Sequence, residues 1–155
     1  MFEFTEEYEC KADSKGRIMV PSSLRAKLAS VLHEGLVVKR SIFQSCLEIY
    51  TVEEWKKEAE KVGKLNRFVK KNNDFIRQFT AGVRLIQIDG NGRLSIPKNL
   101  MEFAGITKDV VLSETIGRIE LWDKERYYAV LDEGAADFSD LAEEVMGNLT
   151  SDDNE

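Results

Sequence analysis

The sequence of 155 residues is 43% apolar and carries 22 Lys and Arg against 28 Asp and Glu, which is enough apolar material for a core and excludes a chain disordered throughout. Two cysteines and one histidine exclude a disulfide framework and leave no C-x-x-C or H-x-x-x-H spacing for a structural metal. No run approaches the roughly 18 apolar residues of a membrane helix, and the opening Met1-Phe2-Glu3-Phe4-Thr5-Glu6-Glu7 is acidic where a secretory signal would be basic, so a cytoplasmic protein away from the membrane is expected.

The net charge of −6 hides a gradient. Residues 1 to 100 hold 18 basic against 13 acidic side chains, and residues 101 to 155 hold 4 against 15. Nine basic residues against three acidic ones fall between positions 56 and 84. Such a surface can hold a polyanion despite an acidic total, because only charge within a Debye length of about 10 Å acts at contact. It can equally be a solvated helix face.

Taken in chain order, the elements repeat. An alternating strand over residues 8 to 12 runs into Asp13-Ser14-Lys15-Gly16-Arg17, a second strand over 18 to 20 follows, and Pro21 opens a helix whose apolar face is Leu24, Leu28, Val31 and Leu32. Strands over 36 to 39 and 46 to 50 come next. A helix then starts at the capping box Thr51-Val52-Glu53-Glu54. Residues 63 to 81 read as a connector helix with Leu65, Phe68, Phe75, Ile76 and Phe79 near one stripe, packed on the protein's own body or on a neighbouring subunit. The pattern then returns at an offset of 76: a strand over 84 to 88, Asp89-Gly90-Asn91-Gly92-Arg93, a strand over 94 to 96, Pro97, and a weaker helix with Leu100, Phe103 and Ala104. Strands over 110 to 112 and 118 to 122 follow, Ile119-Glu120-Leu121-Trp122 echoing Leu47-Glu48-Ile49-Tyr50, and Asp123 is a good N-cap for a last helix. The acidic tail, 133 to 155, carries Phe138, Leu141, Val145, Met146 and Leu149 and reads as a short docking helix ending in a disordered Ser151-Asp152-Asp153-Asn154-Glu155.

One unit of roughly 50 structured residues cannot bury a core alone, so the two units are expected to share one as an intrachain pseudo-dimer. Its divisions are 1–62 for the first repeat with its C-terminal helix, 63–81 for the connector, 82–132 for the second repeat and 133–155 for the tail.

The residues offer little to an enzyme. His33, at a helix end before Glu34-Gly35, has no evident nucleophile, Cys10 and Cys46 sit in strands as small apolar residues, and no phosphate-binding G-x-x-x-x-G-K-[ST] loop is present. No catalysis, cofactor or metal is expected. The repeated Gly-Arg stands apart, because a rigid turn presents each arginine and Lys15 adds a cation two positions before the first. A guanidinium fork can hold phosphate and can read guanine O6 and N7. Alternatively, Arg17 and Arg93 pair with Asp13 and Asp89 and close their own turns.

The doubled D-x-x-G-R-x-x-[VI]-P, with Cys46-Leu47-Glu48-Ile49-Tyr50 and Ile119-Glu120-Leu121-Trp122-Asp123 after it, resembles the MraZ family across residues 1 to 132, and one copy alone also resembles AbrB-like regulators. The resemblance implies an α+β fold of two tandem swapped-hairpin β-barrel (SpoVT-AbrB-like) repeats with flanking helices. It implies a sequence-specific, nucleoid-associated transcriptional regulator. Such a protein would bind double-stranded DNA at promoter direct repeats upstream of the division and cell-wall gene cluster, as a ring-like homo-oligomer, an octamer or similar. Carried onto this sequence, the DNA-binding residues are Lys15, Arg17 and Arg93, with Asp13, Gly16, Asp89 and Gly92 shaping the turns. The alternative is an oligomeric protein-interaction module or an AbrB-like antitoxin.

Overall fold

Each Gly-Arg turn joins a strand that leaves for the other repeat to a strand that stays at the pseudo-twofold axis. The structure, a computed structural model, describes residues 5–153, so Met1 to Phe4, Asn154 and Glu155 lie outside it. In the first repeat, β1 (Glu7–Lys11) enters the turn and β2 (Arg17–Met19) leaves it; in the second, β5 (Arg84–Ile86) and β6 (Arg93–Ser95) do the same. Two hairpins complete the set, β3 (Leu36–Arg40) with β4 (Leu47–Thr51), and β7 (Asp109–Thr115) with β8 (Arg118–Asp123). Cys46 is buried one residue before β4 rather than in it, and burial pushes its thiol up to about 12, which keeps it an inert apolar residue.

The strands form a six-stranded antiparallel sheet in the order β1-β7-β8-β4-β3-β5 and a two-stranded ribbon of β2 with β6. Reading the order backwards exchanges every strand for its equivalent, so the chain carries the twofold symmetry expected of two repeats. The swap is visible in the edges: β1 pairs with β7 of the other repeat and β5 with β3, while β4 and β8 meet in the middle with Leu47 opposite Leu121. Single bridges, Ala12 to Ile18 and Ile88 to Leu94, tie the ribbon to the edge strands.

Both repeats contribute to one core, in which Ile18 meets the helix residues Leu24 and Leu28 and their counterparts Leu94, Leu100 and Ala104. Each full burial of such a leucine or isoleucine is worth about 1.5–3 kcal/mol. The helices are α1 (Ser22–Leu28) and α4 (Lys98–Ala104), each preceded by its proline as N-cap rather than first helical residue. Helix α1 stops before Val31 and Leu32. Successive i→i+3 bonds, Val31 N–H to the Leu28 carbonyl and Glu34 N–H to the Val31 carbonyl, tighten the chain into a 3-10 turn over Leu32–Glu34.

Helix α2 (Val52–Gly63) begins with one half of its capping box, the Glu54 N–H donating to Thr51 Oγ1 at 3.2 Å, while the Glu54 carboxylate accepts from Lys57 Nζ at 3.1 Å. The connector helix is shorter than its sequence stripe. Residues 64 to 69 are not helical, because Asn66 Oδ1 takes the Phe68 N–H, and Asn72 and Asn73 donate back to the carbonyls of Asn66 and Arg67. Helix α3 (Lys70–Thr80) therefore carries Phe75, Ile76 and Phe79 but neither Leu65 nor Phe68, and Phe68 is exposed. Phe79 stacks on Trp55, which meets Tyr50 edge-on, both at 5.7 Å, so α3 packs on its own chain. Beneath them lies Lys39, 1% exposed, its Nζ 4.4 Å from the Phe79 ring centre and 3.7 Å from Glu48 Oε1. Burial pulls the Lys39 pKa down and the Glu48 carboxylate opposes it.

The segment up to Lys124 is one unit and residues from Glu125 onward are a second. Helix α5 (Lys124–Ala135), which starts directly after Asp123, has its first residue in the first unit and the rest in the second, which also holds α6 (Phe138–Asp153). Ser151, Asp152 and Asp153, expected to be disordered, belong to the last turn of α6. No described helix is long and apolar enough to cross a membrane.

Candidate nucleic-acid interface

Asp13 and Asp89 build the two turns by the same four bonds. Asp13 Oδ1 accepts from the backbone N–H of Lys15 and of Arg17, both at 2.9 Å, while the Asp13 carbonyl takes the Gly16 N–H at 3.0 Å and the Asp13 N–H returns to the Arg17 carbonyl. In the second turn Asp89 Oδ1 accepts from Asn91 at 2.8 Å and Arg93 at 3.0 Å, with the same backbone pair. This is the local reason for aspartate at the first position: a short carboxylate reaches the amides two and four residues ahead. Those amide bonds hold both carboxyls below the usual carboxylate range, the Arg17 N–H and the Arg93 N–H being the largest causes.

Gly16 and Gly92 have φ of +78° and +79°, which a side chain rarely adopts. They also let the two repeats touch. The Gly16 carbonyl accepts the Ile96 N–H and the Gly92 carbonyl accepts the Val20 N–H, each at 2.9 Å, so each turn is pinned to the strand of the opposite repeat.

The arginines follow from the strand period. Ile18 and Leu94, directly opposite each other in the ribbon, face the core, so Arg17, Met19, Arg93 and Ser95 share the outer face. Arg17 stands opposite Ser95 and Arg93 opposite Met19, a diagonal of about 7–8 Å between the two arginine positions. Lys15 is exposed in the turn just before. Thus the ribbon brings together Arg17 and Arg93, 76 residues apart in sequence, with Lys15 in the turn before the first.

Each arginine also pairs with the aspartate of its own turn, and the two pairs differ. Arg17 Nε donates to Asp13 Oδ2 at 2.6 Å, whereas Arg93 Nε lies 3.4 Å from Asp89 Oδ2 without a hydrogen bond. Both pairs use Nε, and among the described residues neither guanidinium has another partner for its Nη groups. The hydrogen bond fixes the base of the Arg17 fork, and Arg93 sits more loosely beside its aspartate.

Sequence reasoning missed Arg25. Its Nε donates to the Val20 carbonyl at 3.1 Å and its guanidinium lies against Gly92, where a Cβ would stand 2.7 Å from Nη1. At the offset of 76, Met101 occupies the equivalent place beside Gly16, and there a cavity of about 510 Å³ opens between the first turn and α4. Nothing in the sequence singles Arg25 out, because only Leu24 and Leu100 are identical between the two helices and Arg25 to Met101 is one mismatch among several.

A family model described as "MraZ protein, putative antitoxin-like" matches the chain twice, over residues 3–78 and 79–149. The chain belongs to the MraZ family. A protein of Flavobacterium psychrophilum named transcriptional regulator MraZ is 59% identical over 146 residues, covering 94% of this chain and 93% of its own. The protein of that name from Christiangramia forsetii is 57% identical over 141 residues, 91% of each chain. That of Bacteroides fragilis is 36% identical over 147 residues, covering 94% and 92%. The two MraZ matches divide the chain within the last turn of α3, a few residues before β5, where the second copy of the strand–turn–strand unit begins.

Proposed function

We propose that this protein is a DNA-binding transcriptional regulator of the MraZ type, which reads double-stranded DNA through the β2–β6 ribbon. The observation that carries the proposal is the outward, two-fold-related pair Arg17 and Arg93 on a two-stranded ribbon, a shape the major groove admits. Lys15 gives the first turn a phosphate contact, and Arg25 supplies the second turn with the cation that Asn91 lacks. Asp13, Gly16, Asp89 and Gly92 hold the turns in the presenting shape. The operator is a set of direct repeats upstream of the division and cell-wall gene cluster, and a ring-like oligomer meets them with successive subunits, each adding a weak contact at high effective concentration. Relatives named as regulators of transcription support this role, which is not an enzymatic one.

Fluorescence anisotropy tests it, with a labelled duplex from upstream of the protein's own gene beside a scrambled duplex across a salt series. Tight binding that prefers the native duplex is expected, with log affinity falling by about 0.9 per phosphate contact for each unit of log salt. Arg17→Ala with Arg93→Ala should abolish the preference while the melting temperature stays within a few degrees. Unchanged binding would remove these turns from the interface. A second reading, an antitoxin-like protein-binding module, is favoured by the exposed apolar residues of α6, and absence of binding to either duplex would move it to first place.

A further inference from the structure

Helix α6 is built to be covered. From Phe138 to Gly147 every residue but Ala142 is exposed, including Phe138, Leu141 and Val145 at positions i, i+3 and i+7 on one stripe. A 16-residue helix with Ser, Asn, Gly and Thr in its body has little stability of its own in water, because helices of this length depend on packing an apolar face. Its charge is uniformly negative: Asp140, Glu143 and Glu144 have no ion-pair partner among the described residues, and positions 136 to 155 contain no Lys or Arg.

The complement is found on the other unit. Between α2 and α3 lies an apolar groove of about 490 Å³ floored by Trp55, Ala59, Val62, Ile76 and Phe79. Its rim carries Arg67 and Arg77, and Arg67 has no side-chain partner among the described residues. Along α2, Trp55, Ala59 and Val62 repeat at i, i+4 and i+7, a rise of about 10.5 Å that equals the rise from Phe138 to Val145. Eight basic side chains against three acidic ones lie between positions 56 and 77.

We propose that α6 of one copy docks into the α2–α3 groove of a second copy, its apolar stripe on Trp55, Ala59 and Val62 and its carboxylates against Arg67 and Arg77. Stripe length, apolar chemistry and opposite charge agree, and one chain supplies both surfaces in equal number. The contact concerns how copies meet and goes beyond the DNA-binding reading, on which it does not depend.

The test uses the full-length chain with Cys10 and Cys46 replaced by alanine. A tagged chain carrying Ala59→Cys is mixed with an untagged chain carrying Leu141→Cys under conditions of subunit exchange, then oxidised. A disulfide joining tagged to untagged chain is expected. Its absence overturns the proposal, and so does a separate variant carrying both Ala59→Cys and Leu141→Cys that forms its disulfide only within a single chain. An arm without engineered cysteines guards against failed folding: in the native background Leu141→Asp with Val145→Asp, on the surface of α6, should weaken self-association at least tenfold by sedimentation velocity. Arg67→Glu should weaken it as well and Glu144→Lys restore it. Unchanged sedimentation of the Leu141/Val145 variant overturns the proposal. Anisotropy with the native and scrambled duplexes, run on the same samples, reports separately on the ribbon, so loss of assembly and failure of DNA reading appear in different measurements.

Discussion

The two Gly-Arg turns share a backbone and differ in charge. In the first, Arg17 is hydrogen-bonded to Asp13, Lys15 projects beside it, and the cavity next to Met101 is open. In the second, Arg93 is held more loosely by Asp89, Asn91 replaces the lysine, and Arg25 arrives from the other repeat to lie on Gly92. The common part is the set of bonds from one aspartate oxygen and one carbonyl, which fixes where the arginine sits. The divergent part is everything that sets the local field. Because each Asp–Arg pair is neutral as a whole, the excess positive charge at the ribbon comes from Lys15 on one side and Arg25 on the other.

The largest effects are expected at the glycines, and they should be unequal. A Cβ at Gly16 would stand 2.8 Å from the Ile96 carbonyl oxygen, which is fixed by its place beside the ribbon. Gly16→Ala thus suffers the left-handed penalty of about 1–2 kcal/mol and an overpacking cost of about 1–3 kcal/mol. At about 2–4 °C per kcal/mol for a chain of this size, thermal unfolding should show a fall of several degrees or more. Gly92→Ala meets only the end of the Arg25 side chain, which can swing away, so it should lose little beyond the backbone penalty. Equal losses at both positions would show that the Ile96 contact relaxes as easily as the arginine.

Arg17→Ala and Arg93→Ala, made singly, come next. If each fork makes a bidentate base contact, each substitution should cost about 1–3 kcal/mol of discrimination between native and scrambled duplexes. The hydrogen bond to Asp13 pre-orders Arg17, so its loss should exceed that of Arg93. A larger loss at Arg93 would reverse the ranking of the two turns.

How much of this was legible beforehand differs by element. The shared core and the pseudo-dimer follow from the Asp, Gly, Arg, Pro and Leu positions kept at an offset of 76, because identical turns and identical apolar spacing impose identical local folds. Of the two possibilities raised for the arginines, the geometry shows the pairing with the turn's own aspartate, as a hydrogen bond for Arg17 and a looser approach for Arg93. The connector was misread in length because its aromatic period continues through 64 to 69, where asparagine side chains satisfy the backbone instead of the helix. Lys39 was not singled out at all. A lysine in a strand looks exposed by sequence alone, and only the meeting of Glu48, Phe79 and the sheet gives it a buried place. Arg25 was missed for a similar reason: its contact is with the other repeat, and no local pattern announces a partner 67 positions away.

Exchanging the charges tests the claim that the field, not the fold, separates the turns. Lys15→Asn, which copies the second turn, should lower the slope of log affinity against log salt by about 0.9 if Lys15 neutralises one phosphate. Asn91→Lys should raise it by a similar amount. Both residues are exposed, so the melting temperature should hardly change. A slope unmoved by either substitution would place both turn tips away from the phosphates.

The smallest effect expected is in the response to acid, and its sign follows from the two aspartates. Both have folded pKa values below the unfolded carboxylate value of about 3.9, so each contributes stability that is complete above that value and is lost as pH falls through the lowered one. The turns should loosen below about pH 4, with no change between pH 6 and 8. Asp13→Asn keeps an oxygen for the Lys15 and Arg17 amides but gives up the charged bond at 2.6 Å to Arg17, and should remove more of this acid-dependent stability than Asp89→Asn, whose arginine makes no hydrogen bond through Nε. Denaturant unfolding of the two variants from pH 3 to 7 measures the difference. If the two acid profiles coincide, the tighter pairing of the first turn carries no stability of its own, and the ribbon's asymmetry rests on Lys15 and Arg25 alone.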